Sequence, residues 1–535
     1  MTRFYTCCNA KLFTFYFLFF TSCFAFFQSC NDHSQKAASG NGVYIGLKGD
    51  FDSFNELNAA DSDALQVIQN MLFMTLTRLD ENFRHAPYLA KSWEFSENGA
   101  VLTYHLRNDI FWSDGQPTTA DDVLFTYQMA VHPEVAYPAV SRFDLTEKVE
   151  KLDEFTIRFH FKQPYPDALF DTQIPILPKH ILEKTAPESL TTAAFNRSPV
   201  GNGPFQLVEW QANHFVKFRA NTAFALGRPA LSEVTFVVIP NETTLLANLR
   251  TGELDVAPYL TTSGFQAVQA EPSLQVMRYE GREFAFIGWN NARPLFSKKV
   301  RQALTQAIDR REIIATLLAG HAKPANSPLM PYTWAYDSTI SSPEFDPAAA
   351  QALLKAEGWR DTDNNGVLDK HGQPLSFAIS VNAGNQLRSD IAVMVQAQLK
   401  NIGVAMQIET LEWNLFIDKV FVNRDFDAAI LSWDADFTVN PHALWHSRAI
   451  EDGYNFVAYK NARVDLLLEK GRAIARREAA MPVWREFQQI IMDDSPYTFL
   501  FTPEQLAGIS RRIRGVQMDA RGFLCNIHQW RIGEE

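Results

Sequence analysis

The chain has 535 residues, 46% of them hydrophobic and 21% charged. Those proportions suit an ordinary globular core and exclude fibrous and low-complexity classes. A formal net charge of −12 opposes nucleic-acid binding, which needs a basic surface. Length alone allows several independent domains or one large α/β body with interleaved domains.

At the start, Arg3 and Lys11 flank a nearly unbroken apolar run over residues 12–27, and residues 1–29 read as a signal peptide. The run is shorter than the about 20 apolar residues a membrane-spanning helix needs. Its removal takes away two basic residues and no acid, so the net charge becomes more negative still. Cys30 follows Phe27-Gln28-Ser29 and precedes Asn31-Asp32-His33-Ser34. This resembles a lipobox, with Phe27 where Leu is usual and Gln28 where a small residue is usual. The resemblance implies cleavage before Cys30 and lipid on its thiol, with secretion without lipid as the alternative. Cys23 fits less well, because the apolar stretch continues beyond it. The other cysteines are Cys7, Cys8 and Cys525, so cleavage at Cys30 leaves only Cys525 free of lipid and no internal disulfide. Residues 30–42, rich in Ser, Gln, Asn and Gly, read as a tether.

From Val43 onward strand and helix signals alternate without a linker. Leu102, Tyr104 and Leu106 alternate with polar neighbours, as do Phe155, Ile157, Phe159 and Phe161, which predicts two half-buried strands. Between them Thr119-Ala120-Asp121-Asp122 is a capping-box pattern opening a helix through Ala130. Leu245 to Gly252 followed by Leu254-Asp255-Val256-Ala257 reads as helix, glycine and strand. Ser297 is expected to cap one amphipathic helix carrying Val300, Leu304, Ile308 and Leu318 on a face and ending at Gly320. Asp346-Pro347 opens a helix that Gly358 closes, and a third runs over 386–401 into a strand over 404–410. Helix and strand in repeated alternation predict a mainly parallel sheet covered on both faces.

Several blocks then carry a resemblance. Pro87-Tyr88-Leu89-Ala90-Lys91-Ser92-Trp93, Leu106-Arg107, Trp112-Ser113-Asp114-Gly115-Gln116-Pro117 and Thr119-Ala120-Asp121-Asp122-Val123 stand in order. They are followed by Gly201-Asn202-Gly203-Pro204-Phe205, Gly252-Glu253-Leu254-Asp255, Val300-Arg301-Gln302-Ala303-Leu304 with Ala307-Ile308-Asp309, Phe345-Asp346-Pro347, and Ala352-Leu353-Leu354 with Gly358-Trp359. The chain after residue 43 resembles solute-binding protein family 5, the dipeptide-, oligopeptide- and nickel-binding proteins of ABC importers. The resemblance implies an α/β periplasmic-binding-protein type II clamshell: two α/β lobes with a hinge, plus an inserted third α+β domain. The first lobe is expected over 43–75, 201–295 and 506–535, the insert over 76–200, and the second lobe over 296–505. A ligand, a di- or oligopeptide, would be captured between the lobes and delivered to the importer's permease and ATPase subunits. The expected protein is a monomer at the periplasm or cell surface, held to the membrane through lipid on Cys30, and works without a cofactor.

The resemblance also places binding residues. Ser432-Trp433-Asp434-Ala435-Asp436 ends the apolar strand Ala428-Ala429-Ile430-Leu431, and Trp433 and Asp436 match a Trp-x-x-Asp whose aspartate pairs with a peptide's α-ammonium. The alternative for Asp436 is a helix cap near Asn440-Pro441. Glu412-Trp413 matches a position whose Trp lines a side-chain pocket, against an ordinary buried aromatic. Asp61 and Ser62 fall where the first strand-to-helix loop meets the ligand backbone, though a helix cap fits them equally. Ile430 stands where one branch of the family has an arginine for the peptide carboxylate, which leaves ligand length open.

Other patterns point elsewhere. Residues 361–369 place Asp, Asp, Asn and Asp like the first nine residues of a calcium loop, but the twelfth is Gly372 rather than Glu, so a polar turn is the competing reading. His442 and His446 have the spacing of metal ligands on a helix, yet two histidines alone do not define a metal site. No G-x-S-x-G elbow or phosphate-binding G-x4-G-K-[ST] loop is present, and the chain is not expected to be an enzyme. The competing functions are capture of another solute, such as a nickel or haem chelate, a sugar or an opine, and ligand delivery to a sensor.

Overall fold

The computed structural model describes residues 40–533. The signal peptide, Cys30 and most of the 30–42 tether lie outside the described residues.

One mixed twelve-stranded sheet runs through both halves of the molecule. Its first half centres on Gly42–Leu47, which pairs in parallel with Glu233–Val238 and with Val256–Ala257. The hairpin of Phe205–Gln211 and Phe215–Ala220 extends that half in antiparallel fashion. In the second half Ser376–Asn382 runs parallel to Ala405–Leu411 and Ala428–Asp434, while Glu283–Trp289 lies antiparallel to Ala428–Asp434. The expected mainly parallel sheet is therefore a mixed one. Local helix-glycine-strand units do form parallel pairs, but the hairpin and the strands returning to the centre from distant sequence are antiparallel.

The two halves are joined by Tyr497–Ser510. Tyr497 to Phe501 pair with Glu283–Trp289, and Glu504 to Ser510 pair with Leu274–Glu280. Its neighbours Leu274–Glu280 and Glu283–Trp289 are separated only by Gly281 and Arg282. A Cβ on Gly281 would meet Gln505 Nε2 at 3.1 Å, so the two crossing strands touch at this point. The sequence reading placed the first crossing at residue 295. Hydrogen bonding to Ala428–Asp434 instead puts residues 283–289 on the second half of the sheet.

In the second half the central strands are buried on both faces. Phe286, Ala429 and Leu431 face one apolar cluster with Trp445, Trp484 and Phe487, while Ala285, Ile287, Ala428 and Ile430 face another with Leu304, Val395 and Leu399. This strict alternation of faces follows from the two-residue period of a strand. In the first half, Ile45 and Phe236 belong to a cluster that also holds Leu102, Tyr104, Ile157 and Phe159 of residues 76–200. Those residues lie in a separate four-stranded antiparallel sheet, ordered Ala90–Phe95, Val101–Leu106, Thr156–Phe161, Thr146–Asp153. The insert thus shares a core with the first half.

Local structure explains several of the sequence blocks. Thr119 and Asp122 complete a reciprocal capping box at the start of Ala120–Ala130, as predicted. Gly201 and Gly203 pass against the backbone of Leu72, where a Cβ would lie 2.2 and 2.9 Å from its carbonyl oxygen; Gly203 N–H donates to that oxygen, and Asn202 Oδ1 accepts from Met74 N–H. Asp255, 1% exposed, accepts from Tyr44 N–H and pairs with both arms of Arg512. Arg301, buried, donates to the carbonyls of Phe296, Asp494 and Ser495, closing the C-terminal end of Arg477–Asp494. The expected single helix over 297–320 is two, Lys298–Gln306 and Arg310–Leu318. Asp309 between them accepts from Arg311 and Glu312 N–H, and an aspartate spent on capping a new helix interrupts the old one.

Candidate functional site

A cavity of about 290 Å³ opens where the first half, the insert and the second half meet, next to the crossing strands. Glu56 and Gln69 line it from the first half, Tyr137, Arg142 and Phe170 from the insert, Asp436 and Phe437 from the loop after Ala428–Asp434. A smaller cavity of about 140 Å³ adjoins it, sharing Arg142 and Asp436, and a third of about 290 Å³ shares Arg282, Phe437 and Arg521.

Asp436 stands in the wall between the first two cavities. Its side chain is 45% exposed; Oδ1 accepts from Phe437 N–H at 2.7 Å, and Oδ2 lies 3.5 Å from Arg142 Nη2. It caps no helix: the short helix His442–Trp445 begins after Pro441 without a side-chain cap. Arg142 also donates to the Gln173 carbonyl and lies over the Phe170 ring. Phe437 packs against Phe83, Phe170 and Tyr332. Aromatic residues of three segments therefore close round the acidic loop.

Four arginines, Arg78, Arg142, Arg282 and Arg521, line the larger cavity. Arg282 faces Asp434, Arg521 pairs with Asp519 and Arg142 with Asp436. Arg78 has no ion pair with a carboxylate among the described residues, and donates instead to His528 Nε2 at 3.4 Å. Burial, reinforced by Arg78, lowers the His528 pKa to about 4, so this histidine is neutral near pH 7. Burial raises the Glu56 carboxyl to about 7, against the pull of Arg142. Asp171, which lines the smaller cavity beside Asp167 and Asp436, is raised to about 7 by burial and by Asp167.

The other sequence-derived residues are dispersed. Trp433, half-buried, stacks on Phe286 and donates from Nε1 to Tyr497 Oη at 3.3 Å; it lies behind the cavity in the second-half core rather than on its lining. Trp413 is 49% exposed at the start of Trp413–Ile417, stacked on Phe416, and does not line the cavity with Asp436. Asp61 caps Ser62–Val67 by accepting from Ala64 N–H at 2.8 Å. Ser62 lines the third cavity. Ile430 is fully buried in its strand, without access to a ligand.

The calcium-like loop turns its oxygens on itself. Asp361 accepts from Asn365 and Gly366 N–H, and Asp369 from Thr362. His446 is 3% exposed, stacks on His442, and its Nδ1 accepts from Arg448 N–H. Among the described residues no group of three or more His, Cys, Asp or Glu converges as a metal site. No helix among them is long and apolar enough to cross a membrane.

Sequence reasoning missed Glu56, Tyr137, Arg142, Asp171 and Arg521. Apart from Tyr137 and Arg142, which share one stretch of the insert, they sit on separate loops and short helices, so only the packing of distant segments brings them together.

The family model for bacterial extracellular solute-binding proteins, family 5, matches residues 85–455. The chain belongs to that family. An oligopeptide-binding protein of Bacillus subtilis, AppA, is 33% identical over 526 residues, covering 96% of each chain. The solved structure of B. subtilis AppA with a nonapeptide superposes with a TM-score of 0.73, at 32% identity, covering 92% of this chain and 99% of that one. NikZ of Campylobacter jejuni, solved with Ni(L-His), gives a TM-score of 0.75 at 27% identity, covering 92% of this chain and all of that one. Family membership carries the clamshell reading of the fold and identifies a substrate-binding protein.

Proposed function

We propose that this protein captures a peptide with a free N-terminus in the cavity between its lobes and hands it to the permease and ATPase of an ABC importer. The observation that carries the reading is Asp436. It matches the family's Trp-x-x-Asp, projects from the second half into a cavity whose opposite wall is the insert, and keeps a carboxylate partly open to a ligand. A peptide α-ammonium joins Arg142 as its partner, through a charge-assisted hydrogen bond. The protein works by binding and closure, not catalysis.

Around that cavity the lobes are residues 43–75, 201–282 and 504–533 for the first, 76–200 for the insert, and 283–503 for the second. Trp433 supports the loop from behind, and Ser62 reaches the ligand backbone from the third cavity, whereas Asp61 and Trp413 serve the fold and the surface. The mature chain is a monomer at the periplasm or cell surface, attached to the membrane by lipid on Cys30. The relatives named above, one an oligopeptide-binding protein and one solved with Ni(L-His), support a peptide and keep a second ligand in play: four arginines round one cavity also suit an anionic metal chelate.

Native mass spectrometry of the purified chain from residue 31 onward, before and after partial unfolding and dialysis, tests the choice. Peptide masses that are lost on dialysis, return on adding peptides, and fail to return with Asp436→Ala support the peptide reading. A metal chelate in their place, or a cleft that ignores peptides, defeats it.

A further inference from the structure

Glu56 belongs to none of the blocks that mark the family, yet it is the most deeply buried acid lining the larger cavity, at 4% exposed. Tyr137 Oη donates to its Oε1 at 3.2 Å, while Oε2 has no partner. A buried polar atom left unpaired is expensive, and native folds retain one only where something else meets it.

The charges around it explain what that something is. Tyr137 and Arg142 come from one short stretch of the insert, and Arg142 pairs with Asp436 of the second lobe. Arg142 thus pairs with Asp436 and lies within electrostatic reach of Glu56 and of Asp171, so two carboxyls reach the cavity around it from opposite lobes. Gln69 also approaches Glu56; Arg78, Arg521 and the neutral His528 line the same cavity, and Asp171 lies beyond Arg142. Asp436 has Arg142 as its ion-pair partner, whereas none of the cavity's arginines bonds to Glu56 Oε2, so a ligand cation is the first direct partner of that oxygen. Burial, the dominant influence, holds Glu56 near neutrality until such a cation arrives.

We propose that Glu56 is a second ligand-binding carboxyl, whose free Oε2 accepts an N–H of the ligand's primary ammonium while Asp436 accepts another. This rests on the reading of Asp436 as the ammonium acceptor. A primary ammonium has three N–H donors and no acceptor, so one partly exposed carboxylate cannot satisfy it in a closed cavity. A second carboxyl at the buried end does so, and makes the site selective for an unmodified N-terminus over an acetylated one.

The test is isothermal titration of the wild-type protein with synthetic di- to pentapeptides bearing free or acetylated N-termini, in buffers of different ionisation enthalpy near pH 7. Binding of a free peptide is expected to release protons, because Glu56, whose carboxyl pKa burial raises, becomes ionised beside the ammonium. Glu56→Gln is expected to weaken that binding about tenfold or more and to abolish the release. Wild-type proton release needs no variant, so the inference stays exposed even where Glu56→Gln folds poorly. Wild-type affinity and release in Glu56→Gln, or loss of the release in Asp171→Asn instead, overturns it. If Asp436→Ala loses peptide and Glu56→Gln does not, the inference falls while the peptide reading stands. If the wild type binds no peptide, both fall.

Discussion

Asp167 fastens the insert to the second lobe, and its removal should open the cleft. It is 5% exposed, and its carboxylate accepts from Trp334 Nε1 at 2.8 Å, Val439 N–H at 3.0 Å and Arg477 Nη2 at 3.1 Å. All three donors belong to the second lobe, whereas the insert shares its core with the first. Rotation about the crossing strands must therefore break these bonds. Burial raises the Asp167 pKa, and Arg477 with the two neutral donors opposes that rise, so the carboxylate is held by its partners rather than by solvent. Breaking a buried ion pair by removing one member costs about 3–5 kcal/mol. Arg477 keeps 31% of its side chain in water and can recover hydration, so about 2–3 kcal/mol is the better figure here. That shifts the closed-to-open ratio roughly 30- to 150-fold, and apparent affinity falls by as much once the open form dominates. Small-angle scattering of ligand-free Asp167→Ala should give a larger radius of gyration than wild type, with ligand restoring the compact value; titration should show the weaker binding. Scattering and affinity both unchanged in Asp167→Ala and Asp167→Asn would refute the argument.

Glu56→Gln should raise stability where it weakens binding. Between the ordinary 4.5 and about 7 the unfolded chain ionises while the folded chain keeps its proton, so this residue makes wild-type stability fall as pH rises through that window. Thermal unfolding of the variant should match wild type near pH 4 and exceed it near pH 8, by at most about 3 kcal/mol; a wild-type advantage near pH 8 contradicts the sign. Gly203→Ala forces a Cβ against the Leu72 backbone, which has no side chain free to move aside. Denaturant titration should show a loss of at least about 1–3 kcal/mol, and a neutral result would mean the 71–74 segment can shift. Replacing His442 and His446 together by Asn should leave peptide affinity intact while lowering the melting temperature, because His446 is buried and accepts from Arg448; lost binding would reopen a metal-chelate role.

The blocks legible in the sequence are mostly those that hold the fold. Gly203 and the Thr119 capping box each solve a backbone problem, and Asp255 and Arg301, in two further blocks, tie distant segments together. Such solutions need particular residue types at fixed spacing, which is what makes them readable. The alternations at Leu102 and Ile157 were equally readable because one face of that sheet is core. Two readings failed where a local rule met a longer-range one. The apolar face from Val300 to Leu318 looked continuous, but Asp309 turned the chain into a second helix. Helix-glycine-strand units suggested a parallel sheet, but the order in which distant strands return to its centre is a tertiary matter.

The cavity was the least legible part, since Glu56, Arg142, Asp167 and Asp436 are separated by up to 380 positions and share no period. Only Asp436 could be placed, through its neighbour Trp433. What the sequence could not reveal is that Asp436 already has a cationic partner. Arg142 holds the carboxylate at 3.5 Å, longer than a direct hydrogen bond, and at 45% exposure water screens the pair. A weak internal pair of this kind keeps the acidic loop compatible with a closed empty cleft, yet readily admits a ligand ammonium. The ligand's ammonium joins Arg142, which stays in the wall, and closure supplies the part of the affinity common to every ligand: Phe437 meeting Phe170, and Asp167 meeting Trp334, Val439 and Arg477. The specificity for the ligand's end and the energy of holding it are thus assigned to different residues, which is why changing Asp436 and changing Asp167 should weaken binding in distinguishable ways: the first only for peptides with a free N-terminus, the second for every ligand alike.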